Sequence, residues 1–153
     1  MVAGAQPGPR WAAITSFLLC LAGLGISVYL TIEHYSASTS LACPDTGVVN
    51  CLKVTTSTYS KLFGVPVALL GLLYYVGLTV LCWPPVWRRS PVWVGRLRIS
   101  AAALGVAFVV YLVWAELFRV DAICLWCTAV HVVTVAVFAV LVLAVALRPV
   151  PLD

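Results

Sequence analysis

The chain of 153 residues is 63% hydrophobic and only 9% charged, with a mean hydropathy of +1.10. A soluble domain carries about 25% charged residues, so this composition excludes a water-covered globule and indicates an integral membrane protein. The net charge of +4 is scattered along the chain, which excludes a basic face for nucleic acid.

Residues 1–10 form a short tail containing Pro and Gly. Trp11–Ile32, "WAAITSFLLCLAGLGISVYLTI", is the first predicted span. At about 1.5 Å per residue it matches a hydrocarbon core of about 30 Å. A cleaved signal peptide is the competing reading, since "SAS" at Ser36–Ser38 resembles a cleavage site. The apolar run exceeds an h-region of about 7–15 residues, however, and only Arg10 precedes it. The polar loop 34–61 follows, rich in Ser and Thr, and within it Thr55–Gly64 has room for a short helix. Leu62–Cys82 is the second span. In the connection Trp83–Arg98 three prolines break helix, and three tryptophans suit a membrane interface. The third span, 99–117, loses its clean run at Glu116, read as a snorkelling interface residue. The fourth covers 124–147. Short turns make successive spans antiparallel, so the expected fold is all-α: one domain, 1–153, a four-transmembrane-helix bundle with an extracytoplasmic loop cap. Gly23, Gly25, Gly71, Gly77 and Gly105 allow close helix approach.

Orientation follows from the basic residues. Arg10, Arg88, Arg89, Arg96, Arg98 and Arg148 fall on one side, against Lys53, Lys61 and Arg119 on the other. The positive-inside rule places both termini in the cytoplasm of a multi-pass plasma (inner) membrane protein. Glu33, Asp45, Glu116 and Asp121 then lie outside.

The same orientation puts four of the six cysteines outside, where disulfides persist. Cys20 and Cys82 are left in or beside spans, as small apolar fillers. Cys43 and Cys51 bound "CPDTGVVNC", a loop whose closure restricts the unfolded chain by roughly 2–3 kcal/mol. Cys124 and Cys127 form a Cys-X-X-Cys at the start of the fourth span. There the helix N-terminus favours a thiolate, the attacking species in disulfide exchange. Zinc binding favours two closely spaced pairs, and Cys43/Cys51 is too wide for it. Two structural disulfides in an inert tetraspan are a further alternative, although Cys124–Cys127 would close almost no loop. A redox relay from a loop pair to a membrane-edge pair accounts for both.

His131 lies one turn beyond Cys127 on the same helix face. An ionisable group in an apolar span marks a candidate site; the competing role is a His bonded to a neighbouring helix. Ser57 and Tyr59 precede the second span and are candidates to line the same pocket. Glu33-His34 reads as an interfacial pair.

"CPDTGVVNC", then "TTSTYSKLFGVPVALLG", then "CLWC" in this order resembles the vitamin K epoxide reductase (VKOR) family, and "FGVPVALLG" resembles its bacterial branch without a fused thioredoxin-like domain. The resemblance implies a four-helix membrane bundle around a quinone. It implies that Cys43 exchanges with a separate thioredoxin-like (DsbA-type) partner and that Cys51 passes electrons to Cys124. Cys127 then faces the quinone, ubiquinone or menaquinone, and Ser57 matches a serine above the pocket. Animal members carry an asparagine at the second span and a tyrosine one turn past the second active-site cysteine. Here the single asparagine is Asn50, and His131 holds the tyrosine position.

The expected function is a quinone-dependent thiol–disulfide oxidoreductase supporting disulfide formation outside the cytoplasm. Reduction of vitamin K epoxide proper is the enzymatic alternative. A four-helix DsbB-type oxidase would place its Cys-X-X-Cys in the first outer loop. A claudin-like tetraspan scaffold would leave Cys124/Cys127 without a role.

Overall fold

The structure, a computed structural model, describes residues 9–36 and 42–147. The first eight residues of the expected tail, Ala37 and Ser38 of the cleavage-like "SAS", and Arg148 lie outside the described residues. Helix α1 spans Arg10–Ser36, so Arg10 belongs to the helix rather than to the tail. Its buried positions are Ala12, Ala13, Ser16, Cys20, Gly23, Ser27 and Leu30. These recur every three or four residues and are nearly all small, which brings neighbouring backbones close. At Gly23 a Cβ would collide with the ring of Tyr75. The outward face carries exposed Ile14, Leu18, Val28 and Ile32, a surface suited to lipid and costly in water.

The second expected span is shorter than its hydropathy. Helix α2 covers Cys51–Thr56, and a 3-10 turn follows at Thr58–Ser60. A hairpin then pairs β1 (Lys61–Leu62) with β2 (Val65–Pro66). Phe63 and Gly64 at its tip have φ of 50° and 83°, as a two-residue type I′ turn requires. Helix α3 therefore starts only at Val67 and ends at Cys82. An apolar run alone does not distinguish a short hairpin from a helix.

The prolines of the next connection also act differently from expectation. Pro84 and Pro85 begin helix α4, Pro84–Arg89, and Pro91 precedes helix α5, Val92–Ala115. Proline is tolerated in a first turn, where its missing N–H has no partner to lose. The third helix thus starts at Val92 rather than Ile99. Arg98, expected as a loop charge, is buried: its Nε donates to the Leu81 carbonyl (2.9 Å) and its guanidinium lies 4.0 Å from the Trp87 ring centre. It closes the C-terminal end of α3, where carbonyls lack intrahelical donors. Helix α5 runs into a π turn, Glu116–Val120, which Asp121 ends in a left-handed conformation. Helix α6 covers Leu125–Ala146.

Helix α1 packs on α3 and α6, and α5 packs on α6 and α3. Among the described residues, three helical segments are long and apolar enough to cross a membrane: Arg10–Ser36, Val92–Val120 and Leu125–Ala146. Helix α3 is apolar but has 16 residues. One core cluster joins Ala12, Cys20, Leu78, Cys82, Trp87, Val137 and Leu141; Cys20 and Cys82 are fully buried in it. A second, at the other end of the bundle, joins Cys51, Val54, Val120, Ala122 and Cys124. The candidate site lies beside the second cluster.

Candidate functional site

The segment after α1 is tied to the start of α6 by several independent contacts. Val49 and Ile123 form an isolated parallel bridge. The Ile123 amide donates to the Val48 carbonyl (2.9 Å), and the Asn50 amide donates to the Ile123 carbonyl (3.0 Å). Lys53 Nζ donates to the Asp121 carbonyl (3.2 Å). Trp126 Nε1 donates to the Ala42 carbonyl (3.1 Å), and its ring centre lies 4.9 Å from that of Tyr29. Within the segment, Asp45 Oδ1 accepts from the Gly47 amide (3.1 Å) at a φ of 85° that favours glycine. Asn50 caps α2, its Oδ1 accepting from the Lys53 amide (2.8 Å). Cys51 is therefore held as the first residue of a short helix aimed at the Cys-X-X-Cys. Trp126 and Tyr29 were not candidates from the sequence. Their signal is faint: amphipathic aromatics at the ends of two spans.

Cys43, Cys51, Cys124 and Cys127 all meet here. Cys43 and Cys51 are disulfide-bonded, with Cα atoms 6.1 Å apart, whereas Cys124 and Cys127 are free. Cys51 and Cys124 share the second core cluster, and Cys43 and Cys127 pack against it. With Cys43 and Cys51 joined, a four-thiolate zinc site is not available. Cys124 is the N-cap of α6 rather than part of its first turn, and its Sγ accepts from the Cys127 amide (3.3 Å). The Cys124 thiol is pulled below its ordinary range by the hydrogen bond from the Cys127 thiol, with help from the Cys127 and Trp126 amides. Burial and the nearby Glu116 oppose this less strongly.

Cys127 borders an open-sided cavity of about 360 Å³ lined by α1, α3, α5, α6 and the segment before α3. Helix α6 contributes Cys127, His131 and Thr134; Ser57 and Tyr59 also line it. The sequence-predicted site residues are thus either in this wall or in the thiol cluster behind it. Ser57 Oγ donates to the Val54 carbonyl (2.8 Å), which leaves its oxygen to accept. His131 is only 7% exposed. Its imidazole has no hydrogen-bond partner among the described residues.

His34, read as half of an interfacial pair, also borders the cavity. One expectation is corrected. Glu116, read as a snorkelling interface residue, is buried in the cavity wall and accepts from the Cys124 amide (3.5 Å). The spacing carried this information. Gly105, Phe108, Val109, Leu112 and Glu116 recur at three- and four-residue intervals and all line the cavity. The π turn begins at Glu116, and such irregular turns are frequent at functional sites. Tyr74, Tyr75 and Thr134 were also missed, although hydroxyls in apolar spans are a readable signal. Tyr75 bonds Thr134 Oγ1 (2.7 Å) and the Val130 carbonyl (3.3 Å).

A sequence model of the Vitamin K epoxide reductase family matches residues 14–142, most of the chain, which therefore belongs to that family. The described residues contain no thioredoxin-like unit beside the bundle. No curated protein matches the chain. Membership makes it a membrane protein of the oxidoreductase type working through cysteines, in a family that acts with quinones.

Proposed function

We propose that this chain is a membrane thiol–quinone oxidoreductase that reoxidises a separate thioredoxin-like, disulfide-forming protein. The observation that carries this reading is the gathering of four cysteines at one end of the bundle: Cys51 of the Cys43–Cys51 disulfide shares a buried cluster with Cys124, and Cys127, packed against that cluster, lines the cavity. In this reading the whole chain is one domain. The four long helices all span, with the hairpin extending α3, and the segment between α1 and α3 caps the bundle outside the cytoplasm. Both termini then face the cytoplasm.

The thiol chemistry proceeds by exchange. A partner dithiolate attacks the Cys43–Cys51 disulfide at Cys43; the partner leaves as a disulfide, and Cys43 and Cys51 are left as thiols. Cys51 as thiolate then attacks Cys124 of an oxidised Cys124–Cys127 pair and expels Cys127. Cys43 resolves the mixed disulfide by attacking Cys51. The inner pair now holds two electrons and the outer pair is bonded again, the pairing present in this structure. Cys124 accepts hydrogen bonds that favour its thiolate, and Cys127 is the cysteine that lines the cavity.

The cavity residues fit a quinone. Its walls are largely apolar, as a flat ring needs, with isolated polar groups at His131, Ser57, Tyr59, Tyr74 and Glu116. A bound quinone, ubiquinone or menaquinone, supplies the terminal two-electron acceptor. His131 would donate to a ligand oxygen, and Ser57 and Tyr59, which line the same cavity, would help to hold the ring. Glu116, bonded to the backbone of Cys124, is placed to take the proton that a thiol must lose. Glu116→Gln keeps the hydrogen-bond acceptor and removes the proton carrier. The expected result is a fold of wild-type stability and a quinone-reduction rate roughly 10²-fold lower. Wild-type turnover in that variant would exclude Glu116 from proton transfer.

The test of the whole reading uses purified protein in lipid vesicles with a reduced thioredoxin-fold protein and a water-soluble para-quinone. One quinone should be consumed per partner disulfide formed. Cys127→Ala should lower both rates by about 10³-fold or more. Partner oxidation that proceeds without quinone consumption would sink the proposal.

A further inference from the structure

Tyr74 and Tyr75 are adjacent on α3, yet only Tyr75 is satisfied by the protein. Its hydroxyl bonds Thr134 and Val130. The hydroxyl of Tyr74 is sealed from solvent and has no hydrogen-bond partner among the described residues, although the residue lines the cavity. A buried hydroxyl without a partner costs free energy, and native structures seldom carry one without a purpose. Space has been kept for it. A Cβ at Gly105 would collide with the Tyr74 hydroxyl and would lie 3.1 Å from Thr134 Cγ2. The Tyr75–Thr134 bond fixes the depth of this pair. Thr134 is seven positions beyond Cys127 on α6, about 10 Å along the axis. Below it the core cluster of Leu78, Ala102 and Val137 begins, with Tyr74 packed on it.

We infer that Tyr74 donates a hydrogen bond to a ligand oxygen at the end of the cavity remote from Cys127. The ligand class is then a ring with two opposed oxygens, one toward Cys127 and His131 and the other toward Tyr74, which selects para-quinones over rings with one oxygen. This rests on the quinone reading above and assigns its second oxygen a partner.

The test is Tyr74→Phe, which removes only the hydroxyl, in purified protein with 2-methyl-1,4-naphthoquinone as the probe. Two readouts are independent of turnover. Ligand-free thermal stability should equal or exceed wild type, because no protein hydrogen bond is lost. The dissociation constant for the probe should rise about 3- to 10-fold, the loss of one ordinary hydrogen bond. A one-carbonyl analogue, 1-tetralone, should bind wild type and variant equally. An unchanged dissociation constant for the naphthoquinone would overturn the inference. So would lower ligand-free stability, which would make the hydroxyl structural. If wild type reduces the naphthoquinone and the variant binds it equally well, the quinone reading stands and only Tyr74 loses its role. If wild type neither binds nor reduces it, both fall.

Discussion

Cys51→Ser should lower oxidation of a protein dithiol by about 10³-fold or more, while quinone reduction by a small, membrane-permeant dithiol stays within about twofold of wild type. The two activities separate because they enter the thiol series at different points. A protein partner meets the docked segment, whereas a small reductant reaches Cys124 and Cys127 directly. The cavity does not depend on Cys51 chemically, and the segment stays anchored. Its bonds to Ile123, Asp121 and Trp126 do not involve either sulfur. Losing closure of the nine-residue loop costs roughly 2–3 kcal/mol, so the variant should unfold at lower temperature without losing its site. Parallel rate measurements with both reductants decide the matter. Equal loss of both activities would make Cys51 part of the catalytic pair or of the fold instead of a shuttle.

His131→Ala should reduce quinone turnover by about 10–100-fold, somewhat below the roughly 10²–10³ loss typical of a dedicated oxyanion donor. A ring oxygen gains negative charge as electrons arrive, and a donor there stabilises the transition state more than the ground state. His131 lies one turn from Cys127, both in the cavity wall. Its side chain bonds no other described residue, so truncation breaks no network. His131→Tyr should recover part of the activity, since a phenol also donates. Turnover per folded molecule is the measurement. Unchanged turnover in His131→Ala, with lowered protein yield in both variants, would return the residue to a structural role.

Much of this could be read from the chain because lipid enforces simple rules. Long apolar runs must become helices, and α1 and α6 follow hydropathy closely. The grouping of Cys43/Cys51 and Cys124/Cys127 followed from charge asymmetry and spacing. The departures arise where one residue type serves two geometries. Leu62–Pro66 is apolar enough for a span, yet the positive φ values at Phe63 and Gly64 make it a hairpin. The prolines at 84, 85 and 91 break a helix only in its interior, and here they stand at helix starts. Glu116 was misplaced because depth was weighed ahead of helix phase. Tyr74 and Tyr75 differ only through partners on other helices, which no local pattern reveals.

The anchorage of the docked segment also bears on synthesis. The Ala42 carbonyl waits for Trp126, 84 residues later in the chain, and Lys53 waits for Asp121, 68 residues later. At about 5–20 residues per second, that is roughly 4–17 s between the translation of Ala42 and of Trp126. For nearly all of this interval neither Cys124 nor Cys127 has been made. A short local loop, able to close within microseconds, lets Cys43 and Cys51 find each other first. The order of synthesis therefore gives Cys43 and Cys51 their first encounters before Cys124 and Cys127 exist, and exchanging the positions of the two pairs along the chain would remove that head start.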